Sequence, residues 1–558
     1  MSTSVFGQPK AVFSEFTYEG HDSFYDEHPL SADDQTWNPI LQGWSSDPSV
    51  CADDQGNYWL VTSTFSGWPG VPLYHSTDLL NWRQVGNILT RPEQLPLMGQ
   101  DFGKSGIYAA SMFYNRWNKT YYMITTNMGR MTLHRKPGNF IVKAKDPRGP
   151  WSDPIWLENM GGIDPSMYFE RDRAYVLYCR MHNREYPGHN SIIMQEYDLR
   201  GDSVITSTAR VIADKGARPE EKPTSLEGPH LYKIRSQYYL LCAEGGTELR
   251  HSEVVFRSKK LWGEYVSYAS NPILTQRDLG PRKDGIYCTG HADIFQDQKG
   301  RWWSVFLGTR RIDGQLENLG RETFLMPVEW TKDGWPVITR QGEQVPAVVT
   351  IPGAKRDDSI PRGNFTVCET FDAPELAPYW MTIRSSASDL YSLTEQPSNL
   401  VLKCGPSASD ASETPAFVGR RLQHHSFTAT TRMTFHPEDN ERAGLLLMKS
   451  EQNQYFLAVG KKYGRTVVEA LRVGEAGRTE SLAYHFLGEQ ESITLRISSA
   501  DGYTFAFAYS TDDGHEWHTL IDGLDASYTA TNVEGTASSF TGTLVGMYAL
   551  KSTSALVK

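Results

Sequence analysis

Residues 224–241, TSLEGPHLYKIRSQYYLL, place one carboxylate at the start of a predicted β-hairpin. Glu227 precedes an alternating strand, which is followed by a polar turn at 235–237 and a second strand at 238–241. An acid at the entrance of one hairpin would predict little by itself. Similar hairpins recur along the chain, however, so this stretch indicates a repeat.

Polar turns followed by aromatic residues mark the copies of this hairpin. Successive copies start about 55 to 65 residues apart, a regular spacing that is typical of repeat architectures. The turns lie at 54–59, 118–122, 170–175, 235–239 and 298–303, and the residues leading into the hairpins are Asp47, Ala109, Asp164, Glu227 and His291. Five β units of this size predict a five-bladed β-propeller whose innermost strands line a central channel.

Equivalent positions on those inner strands should converge at one end of the channel. Asp47, Asp164 and Glu227 would then share a pocket with His291, while Ala109 would leave room for a ligand. An alternative is that the Asp-Pro and Glu-Gly-Pro sequences are only turn chemistry, since a residue before proline favours extended or turn geometry. Three acids in register favour the shared pocket.

Composition excludes several classes of partner. The 558 residues carry a net charge of −11 and no basic stripe, which argues against nucleic acid and anionic membranes. No apolar run reaches the roughly 18 residues needed to span a bilayer, so no membrane association is expected. The N-terminus lacks a signal-peptide pattern; we expect a secreted protein written in mature form, with a cytoplasmic protein as the alternative.

The predicted fold is all-β with two domains. Residues 1–350 are assigned to the propeller, with the polar segment 1–36 wrapping its first blade, and 351–364 read as a linker. Residues 365–558 contain many alternating segments separated by turns and no helical pattern, which predicts a β-sandwich of two sheets.

The three acids suit glycosidic cleavage. That reaction needs a protonated carboxyl for the leaving oxygen and an ionised carboxylate as base or nucleophile. A third carboxylate can keep the acid protonated by like-charge repulsion. Asp47, Asp164 and Glu227 supply such a set.

Ordered motifs along nearly the whole chain resemble glycoside hydrolase family 43, in its branch of β-xylosidases and α-L-arabinofuranosidases with a C-terminal, concanavalin-like β-sandwich. The motifs are at 47–49, 68–82, 163–166, 227–234, 243–247, 290–293 and 319–323. The resemblance implies a five-bladed propeller and an inverting mechanism. It implies Asp47 as general base, Glu227 as general acid and Asp164 as the residue that tunes and orients the acid.

Further site residues are expected around the acids. Phe65 and Trp68 follow a strand that should end near the channel, so either could stack on a sugar or belong to the core between blades. The remaining substrate-binding candidates are His251, His291 and Arg310. No cofactor is required, although the resemblance implies an axial calcium near His291, for which no EF-hand-like cluster gives independent support.

Release of α-L-arabinofuranose from arabinoxylan is the first expected activity. Removal of terminal xylose from xylo-oligosaccharides is the alternative, because both pentoses fit a pocket with the same three acids. A carbohydrate-binding propeller without catalysis is a third hypothesis, which would not need acids in register.

Overall fold

The computed structural model describes residues 10–129, 137–283, 285–312, 314–474, 477–531 and 539–552. Nearly all elements are β-strands, and the first large group is five antiparallel sheets that form the blades of a propeller. Blade 1 contains Ser49–Ala52, Tyr58–Val61, Gly70–Ser76 and Arg83–Leu89. Blade 2 contains Gly106–Asn115, Thr120–Met128, Gly138–Ala144 and Ile155–Trp156.

The other three blades follow in chain order. Blade 3 contains Ile163–Glu170, Arg173–Met181, Asn190–Asp198 and Ser203–Asp214. Blade 4 contains Glu227–Ile234, Gln237–Glu244, Ser252–Ser258, Val266–Ser267 and Leu274–Thr275. Blade 5 contains Ile286–Gln296, Trp302–Arg310 and Glu322–Pro327. The predicted five-bladed propeller is confirmed.

The blades are arranged in a ring. The first strand of each blade contacts the first strand of the next, and that of blade 5 contacts that of blade 1. Large apolar residues fill a separate core between each successive pair of blades. The segment before blade 1 also bonds to the last strand of blade 5. The Ile40 N–H donates to Thr323 O at 2.9 Å, and the Asn38 side chain bonds both the N–H and the C=O of Leu325. This ring places the starts of five inner strands around one axis.

The second domain is the predicted β-sandwich, built from two antiparallel sheets around one large apolar core. One sheet contains Lys10–Gly20, Phe365–Glu369, Tyr391–Ser392, Leu400–Lys403, Phe427–Thr434, Ile493–Ser499, Thr504–Ser510 and His518–Asp525. The other contains Ala416–Arg421, Glu441–Ser450, Asn453–Lys462, Arg465–Val473, Thr479–Phe486 and Leu544–Lys551.

Short elements complete the fold. They are the strand pairs Gln35–Trp37 with Val348–Thr350, Glu329–Trp330 with Pro336–Val337, and Gly67–Trp68 with Thr382–Ile383, the helix Ser23–Glu27, and the 3₁₀ turns Pro219–Glu221, Arg277–Leu279 and Ala526–Thr529. Among the described residues, no helix is long and apolar enough to cross a membrane.

The N-terminal segment corrects one prediction. Residues 1–36 were expected to wrap blade 1, but Lys10–Gly20 is a central strand of the sandwich, paired with Phe427–Thr434. Its buried side chains include Phe13, Phe16 and Tyr18. A register shift after Phe13 interrupts the alternation of buried and exposed residues, which is why the sequence did not read as a strand.

Residues 351–364 contain no strand and are fastened to the propeller. The Ile351 N–H donates to Asp34 O, and the Arg356 N–H donates to Asp33 O, both at 2.8 Å. The two domains also share an apolar core in which Trp44 and Phe65 of the propeller pack with Phe417 and other sandwich residues. The sandwich therefore packs directly against the propeller beside blade 1, through this shared core.

Candidate active site

Five backbone positions near the starts of the inner strands share a left-handed conformation. They are Asp47 (φ 54°), Ala109 (φ 40°), Asp164 (φ 53°), Gly228 (φ 57°) and His291 (φ 53°). Residues other than glycine rarely adopt positive φ, and such strain concentrates at functional sites. Its recurrence once in each blade identifies five equivalent positions around the axis.

Glu227 is not one of these five positions, which corrects the predicted register. It is the residue before Gly228 and pairs in the ladder with Ala243. A Cβ atom on Gly228 would lie only 2.9 Å from Nε2 of His291, so blade 4 has no room for a side chain at the equivalent place. The acid of blade 4 is therefore carried one residue earlier.

The three predicted acids nevertheless share one site, with His291 between them. The Gly228 N–H donates a hydrogen bond to the carboxyl group of Asp164. Gly228 packs against the ring of His291, whose Nδ1 lies 3.6 Å from Oδ1 of Asp47. The acids of blades 1, 3 and 4 are thus connected through two residues, although they are far apart in sequence.

Asp47 is the acid with charge-stabilising partners. Ser63 Oγ donates to its Oδ2 at 2.6 Å, and Nη1 of Arg321 lies 3.2 Å from its Oδ1. Burial acts to raise the pKa of Asp47, but the Arg321 guanidinium, together with His291 and the serine hydroxyls, holds it below its ordinary value. Burial lowers the pKa of His291 to about 4, so its ring is neutral near pH 7.

The other two acids are shifted in the opposite direction. Burial and the negative charge of Asp47 raise the pKa of Asp164 to about 7. Burial, followed by the charges of Asp164 and Asp47, raises the pKa of Glu227 well above its ordinary value. Asp47 and Asp164 are 6% and 7% exposed, whereas Glu227 is partly accessible at the surface although protein surrounds its carboxyl group. The site thus offers a carboxyl group whose pKa is lowered, on Asp47, and one whose pKa is raised, on Glu227.

His251 was predicted to bind substrate, and its position does not support that role. The ring is 1% exposed and lies beneath Gly290, where a Cβ atom would come within 2.7 Å of Nε2. Its Nδ1–H donates a hydrogen bond to Cys288 O at 2.8 Å. Burial lowers the pKa of His251 to about 4. His251 therefore packs beneath the inner strand of blade 5 next to His291, and its ring has no exposed surface that could contact a sugar.

Phe65 and Trp68 correspond to the core alternative, not to open stacking platforms. Phe65 is 1% exposed, with its ring against Trp44, Tyr108 and Phe540. Trp68 is 5% exposed and belongs to the core between blades 1 and 2. The ring of Phe65 is covered by the docked sandwich, whereas the ring of Trp68 is covered by packing between the two blades.

The predicted substrate arginine, Arg310, is a structural residue. Its guanidinium forms a two-pronged ion pair with Glu322 at 2.7 and 2.9 Å and lies 3.1 Å from Oδ2 of Asp22. Arg321 instead reaches the acids, and its guanidinium also lies 5.4 Å from the ring centre of Phe540. The positions of the two residues explain why Arg321, and not Arg310, reaches the acids. Arg310 is the last residue of a strand at the domain junction, whereas Arg321 immediately precedes the last strand of blade 5.

Three contributors to the site were missed from the sequence. Arg321 lies inside the motif at 319–323, so that motif could have identified it. Ser63 joins two blades, because its Oγ bonds Asp47 and accepts the Ala109 N–H at 2.7 Å. Phe540 comes from the sandwich, and no signal in the sequence connects it to the propeller axis.

The calcium ion expected near His291 stays a prediction, and the carboxylate of Asp47 gives it no support. Calcium takes six to eight oxygen ligands. The nearby carboxylate of Asp47 already accepts from Ser63 and pairs with Arg321, whose positive charge would repel a cation. Among the described residues, the group of three ligand-type side chains with donor atoms within 4.8 Å of one another is in blade 3, at His182, His189 and Asp214.

Comparisons with known proteins agree with this architecture and site. The model of "Glycosyl hydrolases family 43" matches residues 36–336, and that of "Beta xylosidase C-terminal Concanavalin A-like domain" matches 368–556. The chain is 34% identical, over 92% of its length and 90% of the relative, to the non-reducing end alpha-L-arabinofuranosidase BoGH43B of Bacteroides ovatus. It is 39% identical to a xylosidase/arabinosidase of Butyrivibrio fibrisolvens, over 76% of this chain and 80% of that protein.

A solved structure matches over nearly the whole length. The crystal structure of a GH43_12 protein from capybara gut metagenome has a TM-score of 0.87 and 36% identity, and the match covers 97% of this chain and all of that one. Both domains and their order are therefore shared with this protein.

Proposed function

We propose, from the premise that this chain belongs to glycosyl hydrolase family 43 and is a glycoside hydrolase, that it releases α-L-arabinofuranose from arabinoxylan with inversion of configuration. The observation that carries the chemistry is the opposite pKa shift of two carboxyl groups in one site. Asp47 is held ionised, and Glu227 is held protonated.

In the proposed mechanism Asp47 is the general base. Its carboxylate takes a proton from a water molecule as that water attacks the anomeric carbon. Glu227 donates its proton to the glycosidic oxygen as the bond to the leaving group breaks. Burial raises the pKa of Glu227, and the charges of Asp164 and Asp47 raise it further, so Glu227 stays protonated. Asp164 is itself bonded to the backbone N–H of Gly228, beside Glu227. These steps use protein carboxyl groups only, so we expect activity to survive EDTA.

The sugar specificity rests on the relatives. BoGH43B is named as a non-reducing end α-L-arabinofuranosidase, which supports arabinose as the first choice. The relative from Butyrivibrio fibrisolvens is named for both activities, so the relatives support β-xylosidase equally as the alternative activity. A solved structure named "Bacteroides ovatus Xyloglucan PUL GH43B" is also similar to this chain, which supports xyloglucan as a further substrate to test.

Product analysis tests this proposal. Purified protein should be incubated with arabinoxylan, xylo-oligosaccharides and xyloglucan, and the released sugars separated by chromatography. Arabinose from arabinoxylan, with little xylose from the oligosaccharides, is the expected result. Xylose as the main product would replace the first activity with the second. Binding without any released sugar would indicate a carbohydrate-binding propeller.

The stereochemical part has its own test. An inverting pair needs space for water, so its carboxyl groups should lie about 6.5 to 9.5 Å apart, against about 5 to 5.5 Å in a retaining pair. Proton NMR at early times should show a first product with the anomeric configuration opposite to that of the substrate. A first product with the configuration of the substrate would make Asp47 a nucleophile.

A further inference from the structure

A crevice between the two domains contains a concentration of arginine side chains. Its volume is about 360 Å³, and its walls come from the propeller, from residues 360–362 and from the sandwich. Four arginines line it, at Arg83, Arg362, Arg420 and Arg421, and no aspartate or glutamate lines it among the described residues. A volume of this size lies at the lower end of the range for small-molecule pockets.

Two of these arginines are buried without an acidic partner. Arg420 and Arg421 are 6% and 8% exposed. Arg420 bonds the neutral side chain of Gln423 at 2.6 Å and lies over the rings of Tyr18 and Tyr379. The guanidinium of Arg421 lies 5.1 Å from the ring centre of Trp44. Neither cation forms an ion pair with a described residue.

Unsatisfied hydrogen-bond donors occur in the same place. The Nε–H groups of Arg362, Arg420 and Arg421 are all buried without an acceptor among the described residues. Buried polar groups are nearly always satisfied, and an unpaired buried charge costs several kcal/mol in similar settings. Stacking on an aromatic ring offsets only part of such a cost. Burial correspondingly lowers the pKa of Arg420 and Arg421.

Elsewhere in the protein, buried arginines have carboxylate partners. Arg384 pairs with Glu451 at 2.7 Å, and Arg310 pairs with Glu322 at the same distance. The crevice is therefore a local exception and not a general property of this fold. Its missing component is a negative charge.

We propose that this interdomain crevice binds a small molecule bearing an oxyanion, held by Arg420 and Arg421. A carboxylate or phosphate oxygen pair matches the planar fork of a guanidinium. Tyr379, which lines the crevice and is partly exposed, fits a sugar ring attached to that anion. An acidic sugar and free phosphate share this chemistry, and the experiment below separates them.

The test is thermal unfolding of the full chain with three probes in a phosphate-free buffer. Sodium glucuronate carries a carboxylate on a sugar ring, glucose carries the ring alone, and sodium phosphate carries the anion alone. Ionic strength is matched with sodium chloride. We expect the melting temperature to rise with at least one oxyanion and not with glucose. A larger shift with glucuronate would identify an acidic sugar, and a larger shift with phosphate would identify a phosphate group.

Arg421→Met is the decisive variant, with Arg496→Met as its control. Arg496 also lies over an aromatic ring, 4.0 Å from that of Trp517, but is remote from the crevice. We expect Arg421→Met to weaken oxyanion binding at least about tenfold by calorimetry, while Arg496→Met does not. Without oxyanion, Arg421→Met should be at least as stable as the wild type, because an unpaired buried charge has been removed.

Three results would overturn the proposal. They are no melting shift with either oxyanion beyond that of sodium chloride, an equal shift in Arg421→Met and the wild type, and a strong loss of stability of Arg421→Met in oxyanion-free buffer. Arg420→Gln provides a second variant, with the same expected loss of oxyanion binding. Hydrolysis in oxyanion-free buffer should be unchanged in either variant, which separates this site from the acids at the axis.

Discussion

Buried carboxyl groups behave differently at the propeller axis and at the domain junction. At the junction, Asp22 and Glu322 share Arg310, and Asp22 also accepts two backbone N–H groups. The pKa of Asp22 is lowered, since Arg310 and the neighbouring donors outweigh the effect of burial. At the axis, three acids face one arginine, and two of them have raised pKa values. The balance of partners, and not burial itself, decides whether an acid is a structural ion or a proton donor.

The largest expected effect comes from removing either member of the catalytic pair. Asp47→Asn should lose about 10²- to 10⁴-fold in kcat/KM on every substrate, because activation of water is needed whatever group departs. Glu227→Gln should lose a similar factor on arabinoxylan but much less on a nitrophenyl arabinoside, whose leaving group departs without a proton. Initial rates on both substrates measure this difference.

Circular dichroism of each variant should first establish that it is folded. If folded Glu227→Gln loses activity equally on both substrates, while Asp47→Asn keeps its activity on the nitrophenyl substrate, the roles of acid and base are reversed. If neither variant loses activity, the axis is not the active site.

A structural effect of comparable size is expected at the junction. Arg310→Met leaves Asp22 and Glu322 buried without their cation, and breaking a buried ion pair in this way costs about 3 to 5 kcal/mol. Denaturant unfolding should show this loss. The exposed pair of Arg340 and Glu329 provides the control, since Arg340→Met should change the free energy of unfolding by about 1 kcal/mol or less. Equal losses in the two variants would contradict the structural role given to Arg310.

The difference between the two regions also explains what the sequence could predict. Repeated hairpins predicted the blades, and Asp47 and Asp164 stood out because they recur at one place in the repeat. Glu227 was found although its register was misjudged by one residue, since the crowding of Gly228 by His291 is a three-dimensional constraint. Arg310 was chosen as the substrate arginine although Arg321, and not Arg310, lies inside one of the ordered motifs, at 319–323.

Contacts between domains were the least predictable. Phe540 reaches the site from the sandwich, and the strand Lys10–Gly20 crosses in the other direction to join the sandwich sheet. Such pairings are set by docking of the finished domains, which leaves no periodic signal in the chain. For Phe65 and Trp68 the sequence left stacking on a sugar and burial in a core as alternatives, and the structure places Phe65 in the core shared with the sandwich and Trp68 in the core between blades 1 and 2.

The smallest expected effect concerns stability and its dependence on pH, where the two regions should respond in opposite directions. Asp164 has a folded pKa of about 7, above its ordinary 3.8, so the folded state holds the proton more tightly than the unfolded state. Stability then falls as pH rises through the window from about 4 to 7. Asp164→Asn removes this penalty, and we expect it to be more stable than the wild type at pH 8, with little difference at pH 4.

Asp22→Asn should show the reverse pattern. The folded pKa of Asp22 is lowered, so its contribution to stability is present above pH 3.8 and is lost as pH falls through the folded pKa. The variant should be less stable than the wild type at pH 7 and approach it in acid. Melting temperatures of both variants between pH 3 and 8 measure the two slopes. If both differences have the same sign and slope, the distinction between proton-donating and structural acids fails, because the axis acids would then be ordinary buried carboxylates that need their charge to fold.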